Sequence, residues 1–148
     1  MTRTDENREH CKRIAQEIEQ FAAGELYRCP HCGEFHTWEE YEETEHENAD
    51  GITCYTCPYC DEEIEENELE QASLYDYFND VFDIEYRIGS AREFRSVSVM
   101  VACGGPNIFI DTATQQVELY WWTEHASYYL TDEAVEAVND FFEELYNC

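Results

Sequence analysis

Two matched cysteine turns hold the most chemically specific residues in this chain. Cys29-Pro30-His31-Cys32-Gly33 and Cys57-Pro58-Tyr59-Cys60-Asp61 stand with 24 residues between them. Each tight turn aims two sulfurs at one point and lets backbone N–H groups reach them. Two such turns supply the four thiolates of a tetrahedral Zn2+ site. The spacing therefore assigns Cys29, Cys32, Cys57 and Cys60 as ligands of one structural Zn2+, each pair on a hairpin, in a zinc-ribbon-like module. Cys54-Tyr55-Thr56-Cys57 is also Cys-x-x-Cys, so Cys54 is an alternative to Cys60; the repeated Cys-Pro-x-Cys favours Cys57 with Cys60. His31, His36 and His46 are reserve ligands, more simply read as surface residues or residues behind the sulfurs. A redox dithiol is disfavoured, because it uses one Cys-x-x-Cys at a helix N-terminus beside a strand.

Four thiolates close a zinc shell, whereas catalytic zinc keeps one position open for water. The His-x-Glu that precedes Pro-Cys-x-x-Cys in zinc deaminases is absent upstream of either knuckle. No serine sits in a nucleophile elbow. Gly104-Gly105 lies between two strand patterns and reads as a hairpin turn rather than a phosphate cradle. The expectation is a binding protein, not an enzyme, with no catalytic residues and no cofactor beyond the metal.

The elements around these turns follow from periodicity. Cys11, Ile14, Ala15, Ile18, Phe21 and Ala22 recur at helical spacing after a cap at Thr4 or Asp5, with Gly24 as the stop. Residues 27–62 hold few aliphatic side chains, so a metal must organise them. A second helix is expected from Ser73, with Asp76 completing a capping box and Leu74, Tyr77, Phe78 and Val81 on one face; residues 61–70 would extend it forward only with a thin apolar face. The period then changes to two over Ile84-Glu85-Tyr86-Arg87-Ile88, residues 96–101, 108–110 and 117–121, giving an antiparallel meander of four strands, with a fifth around 128–130. Thr131 caps a last helix bearing Val135, Val138, Phe142 and Leu145, with Phe141 beside them. The fold class is α+β: a four- to five-stranded antiparallel sheet with flanking helices and an inserted zinc-ribbon-like module. The divisions are an N-terminal helix over 1–26, the metal module over 27–62, and helix, sheet and C-terminal helix over 63–148.

Charge narrows the function. The chain of 148 residues carries 35 acids and 8 Lys or Arg, a formal net charge of −27. All eight bases lie in residues 1–28 and 87–95; residues 29–86 hold 19 acids and residues 96–148 nine, with no base in either stretch. Unaided binding to DNA, RNA or an anionic membrane is excluded, since phosphate contacts need cations. A basic protein partner is implied. Area scaling gives a folded surface of roughly 7,900 Å², or about 290 Å² per net charge. Duplex DNA carries about one charge per 110 Å², a density that only a local face built from residues 34–86 could approach. Simple solubility needs a net charge of only about 2–8, and 26 Glu against 9 Asp disfavours salt adaptation. With 43% hydrophobic residues this is not a disordered acidic tail. No apolar run nears the ~20 residues of a membrane span, and Met1-Thr2-Arg3-Thr4-Asp5-Glu6 lacks a signal peptide's apolar core. The expected compartment is the cytoplasm, with cysteines reduced or metal-bound and Cys11, Cys103 and Cys148 unligated. Tyr120, Trp121, Trp122, Tyr128 and Tyr129 concentrate aromatic surface; half of any strand faces a core, and the outward half can anchor a partner.

Zinc ribbons commonly bind nucleic acid or polymerase-type partners through Lys and Arg around their knuckles, and this chain has only Arg28 there, with no base from Cys29 to Tyr86. The two knuckles, with Cys103-Gly104-Gly105-Pro106-Asn107-Ile108 leading to Val117-Glu118-Leu119-Tyr120-Trp121-Trp122, instead resemble small acidic phage and mobile-element proteins, in particular a zinc-containing anti-CRISPR protein. The resemblance implies a non-enzymatic inhibitor of a type II RNA-guided effector nuclease in the bacterial host's cytoplasm. Such an inhibitor would act as a DNA mimic, denying target DNA a basic channel in the nuclease. The alternative is a structural zinc-ribbon adaptor for another basic protein: a restriction enzyme, a polymerase or a ribosomal component.

Overall fold

The computed structural model describes residues 2–148. The chain runs through α1 (Arg3–Ala23), β1 (Leu26–Arg28), β2 (Phe35–Thr37), α2 (Trp38–Glu42), β3 (His46–Glu47), β4 (Thr53–Thr56), β5 (Glu63–Glu65), a 3-10 turn (Glu66–Glu68) and β6 (Glu70–Gln71). It continues through α3 (Leu74–Tyr77), β7 (Asp83–Ile88), β8 (Phe94–Ala102), β9 (Asn107–Asp111), β10 (Gln116–Trp121), β11 (Glu124–Tyr129) and α4 (Asp132–Tyr146). The fold is α+β with antiparallel sheets. It divides into two compact units: Ala23–Ser73, and residues 2–22 together with Leu74–Cys148.

The larger unit is a five-stranded meander in the order β11-β10-β9-β8-β7. Its register sets Val99 against Ile110 and Ile110 against Val117, and it sets Ile108 against Leu119 and Leu119 against Ala126. Directly opposed residues share a sheet face, so these six form one apolar surface, and all are buried. Helix α1 adds Cys11, Ile14, Ala15, Ile18 and Phe21, and α4 adds Ala134, Val135, Val138 and Phe142. Thr131 caps α4, its hydroxyl accepting from the Ala134 amide at 3.2 Å. Each large side chain buried in this way contributes about 1.5–3 kcal/mol.

On the opposite face Arg87 donates from both terminal nitrogens to Asp111, each at 2.8 Å, and Asp111 also accepts from the Ala113 amide at 2.8 Å. The Arg87 guanidinium, with the Ala113 and Thr114 amides, holds the Asp111 carboxyl below its ordinary range although burial opposes this. Replacing Asp111→Asn is expected to destabilise the larger unit by about 1.5–3 kcal/mol at pH 7. A lowered folded-state pKa adds stability that is present above the unfolded carboxylate value of about 3.9 and is lost as pH falls through the folded value. The gap between wild type and D111N should therefore close below about pH 4. Denaturant melts from pH 7 to 2 measure it, and a gap independent of pH would disprove the charged contact.

Several expected elements differ. The helix from Ser73 is only the single turn α3: Leu74 and Phe78 are buried, Tyr77 packs on Phe21 at 5.2 Å between ring centroids, and Asn79 and Asp80 then turn the chain into β7. Residues 61–70 form β5, the 3-10 turn and β6, because Ile64 pairs with Tyr55 across β4–β5 and is buried there. Helix α1 begins before Thr4, at Arg3, where the Thr2 hydroxyl accepts from the Asp5 amide at 3.2 Å. Ala22 and Leu145 are exposed rather than core.

The smaller unit holds two three-stranded antiparallel sheets, β2-β1-β6 and β3-β4-β5. It has a core of its own: Cys29, Tyr41, Tyr55, Cys57 and Ile64 are buried, with Tyr27, Trp38 and Leu69 packed against them. The rings touch in sequence, Tyr27 to Trp38 at 5.4 Å and Trp38 to Tyr55 at 5.2 Å. Aromatic side chains bury about 150–250 Å² each, so this segment builds a small, mostly aromatic core with only Ile64 and Leu69 as aliphatic members. Helix α2, absent from the sequence reading, starts at the capping box Thr37-x-x-Glu40: the Thr37 hydroxyl accepts from the Glu40 amide at 3.3 Å.

Candidate metal centre

Each Cys-Pro-x-Cys turn sits at the tip of a hairpin, the first between β1 and β2 and the second between β4 and β5. The two turns have the same backbone. Gly33 N–H donates to the Cys29 carbonyl at 2.9 Å, and Asp61 N–H to the Cys57 carbonyl at 3.0 Å. The hairpins close behind them in the same way, Cys29 N–H to Glu34 and Cys57 N–H to Glu62. Both turns end in the left-handed region, Gly33 at φ 78° and Asp61 at φ 61°, where glycine carries no steric cost and aspartate only a modest one. Amides point at the leading sulfur of each turn: His31 N–H lies 3.4 Å from Cys29 Sγ and Tyr59 N–H 3.4 Å from Cys57 Sγ.

The sulfurs of Cys29, Cys32, Cys57 and Cys60 all lie within 4.8 Å of one another. Cys29 Sγ is 3.8 Å from Cys60 Sγ, and Cys32 Sγ is 3.7 Å from Cys57 Sγ. Four sulfurs each about 2.3 Å from a tetrahedral ion stand about 3.8 Å apart, whereas a disulfide needs about 2.05 Å. The four sequence-assigned cysteines are thus close enough, and in the right chemical form, to hold one metal ion. Burial raises the Cys29 thiol, yet the Cys32 and His31 amides and the Cys32 and Cys57 thiols outweigh it and bring it down to about 7.

The remaining candidates separate cleanly. Cys54 lies outside this cluster; its thiol donates to the Ile52 carbonyl at 3.4 Å. His36 sits behind the site, its Nε2 3.9 Å from Cys57 Sγ and its Nδ1 3.1 Å from a Glu40 carboxylate oxygen. His31 is exposed and contacts the Glu63 carbonyl at 3.2 Å. Burial and the nearby cysteine sulfurs push up the Tyr41 phenol, whose hydroxyl donates to the Tyr27 carbonyl at 3.3 Å. Cys11 is buried and pushed up to about 11 by that burial, while Cys103 and Cys148 are exposed.

Two further features bear on function. Residues 23–73 carry 16 acids against one base, Arg28, and every one of those acids except Glu65 is exposed. In the larger unit the β10–β11 hairpin turns at Trp122, which is 91% exposed with φ 57°, beside Tyr120 at 42%. They border a groove of about 320 Å³ with Gly104, Gly105, Pro106 and Asn107. Among the described residues no helix is long and apolar enough to cross a membrane.

Fold and site together define an α+β protein with a four-cysteine, zinc-ribbon-like metal module. Comparison with protein-family models, curated proteins and solved structures finds no match.

Proposed function

We propose that this protein is a non-enzymatic inhibitor of a type II CRISPR RNA-guided nuclease, which it binds through an acidic surface braced by a structural Zn2+, blocking target-DNA loading. The observation that carries the reading is the concentration of 15 exposed acids and a single base on the compact unit Ala23–Ser73. The folded surface of 9230 Å² is larger than scaling predicts, so the average charge density falls well below that of DNA, and the smaller unit is where it comes closest. Four thiolates around Zn2+ carry a net charge of −2 and deepen the field. A channel built to hold a nucleic-acid duplex is lined with Lys and Arg, and an acidic unit is steered to it over long range. The nuclease class of partner rests on the resemblance carried by the knuckles and the stretch from Cys103 to Trp122.

The experiment is target-DNA binding by guide-loaded nuclease with the protein titrated in. DNA loading should fall stoichiometrically, without turnover, and inhibition should weaken as salt rises, since the screening length shrinks from about 10 Å at 0.1 M to about 3 Å at 1 M. The quadruple reversal Glu42→Lys/Glu43→Lys/Glu62→Lys/Glu66→Lys should weaken binding about ten- to a hundredfold, each exposed pair contributing about 0.2–1 kcal/mol. Cleavage that stops while DNA loading is untouched would sink the mimicry. Indifference of every nuclease tested would favour the adaptor for another basic protein. Trp122 favours one further contact: if binding ignores salt and the reversals but is lost in Trp122→Ala, the aromatic hairpin makes the interface.

A further inference from the structure

The structure assigns a second metal site to His46, Cys54 and Glu63, separate from the four-cysteine cluster, for a borderline transition ion such as Zn2+ held by three protein ligands with one coordination position open. Their donor atoms lie within 4.8 Å of one another. The register explains the meeting. His46 pairs with Cys54 across β3–β4, and Glu63 pairs with Thr56, two residues beyond Cys54, across β4–β5. All three side chains therefore stand on one face of this sheet. Tyr55 and Ile64 leave by the other face, into the core beside the four cysteines.

The geometry of His46 is that of a ligand held in place. Its Nδ1 is 2.9 Å from the Thr44 carbonyl oxygen. An N–H donated there leaves the Nε2 lone pair free, the arrangement that orients metal-binding histidines. The Thr44 backbone is itself pinned: its hydroxyl donates to the Tyr41 carbonyl at 2.7 Å and accepts from the Thr56 amide at 2.9 Å. Nε2 then faces Glu63 Oε1 at 3.4 Å. Nitrogen and oxygen ligands each about 2.0–2.1 Å from a tetrahedral zinc ion stand about 3.3–3.4 Å apart, so this pair already has the spacing of two ligands on one ion. Cys54 closes the site from beneath. It is fully buried, while His46 and Glu63 are exposed, so an ion enters from solvent and its fourth position faces water. One sulfur, one imidazole and one carboxylate suit Zn2+ or Co2+ and disfavour the hard, all-oxygen preference of Ca2+ and Mg2+.

The test uses the full chain, stripped of metal under reducing conditions and titrated with Co2+ as the probe, with zinc content by elemental analysis in parallel. Wild type should bind two equivalents. One should show the intense sulfur-to-cobalt charge transfer of four thiolates, the other the weaker band of a single thiolate. His46→Ala, Cys54→Ser and Glu63→Gln should each reduce binding to one equivalent and keep the four-thiolate spectrum, which also reports that the unit has folded. Saturation of wild type at one equivalent would overturn the proposal and leave His46–Glu63 as a surface ion pair. So would a second equivalent that survives in the His46→Ala/Cys54→Ser double variant, which would mark it as adventitious.

Discussion

Stripping the metal from Cys29, Cys32, Cys57 and Cys60 is expected to unfold Ala23–Ser73 while the five-stranded sheet of Leu74–Cys148 stays folded. Structural zinc contributes an apparent ~10–16 kcal/mol to small modules of this kind. Nothing else in the unit replaces it. Its core is the ring set of Tyr27, Trp38, Tyr41 and Tyr55 with Ile64 and Leu69, and a unit smaller than 60 residues buries less than about 60% of its surface. Sixteen acids against one base oppose compaction further. The chelated protein and a Cys29→Ser/Cys57→Ser variant should both lose amide dispersion for residues 23–73 and become sensitive there to a glutamate-specific protease. Trypsin is a poor substitute, since Arg28 is its single site in this unit. Dispersed, protease-resistant amides in protein shown to be metal-free would refute the structural role.

The converse holds for Phe142→Ala. Phe142 is fully buried in α4, its ring 4.8 Å from Phe78 and 5.0 Å from Phe141. Truncation leaves a cavity among aromatic side chains that relax little, at a cost of about 3–5 kcal/mol. The unfolding free energy of the larger unit, read from denaturant melts, should drop by that amount. The four-thiolate Co2+ spectrum of the smaller unit should be unchanged, because none of its ligands lies in the unit that Phe142 supports. A loss below about 1 kcal/mol would show that the site collapses onto the gap, and a lost Co2+ spectrum would show that the smaller unit cannot fold without the larger.

Local patterns in the chain determined a good deal. The four-cysteine cluster was legible because a Cys-Pro-x-Cys turn is a local object: proline presets one dihedral angle, the residue after the second cysteine turns left-handed, and the two sulfurs of a turn are brought to the same side. The meander was legible because Ile84 to Ile88 and Val117 to Trp121 alternate at the strand period, and α4 because Thr131 caps a stripe of apolar residues. Tertiary packing decided the rest. Leu74, Tyr77, Phe78 and Val81 have helical spacing, yet the helix stops after one turn, with Phe78 seated against Phe142 and Asn79 and Asp80 offering a turn. Ile64 was hidden among glutamates because one apolar residue sets no period; its pairing with Tyr55 made it a strand. Cys54 was the sharpest case. Its spacing to Cys57 equals that of Cys57 to Cys60, and only the strand register turns its sulfur away from the four-cysteine cluster toward His46 and Glu63. Spacing along a chain fixes which donors can meet locally, but which face of a sheet each donor leaves from depends on partners many residues away.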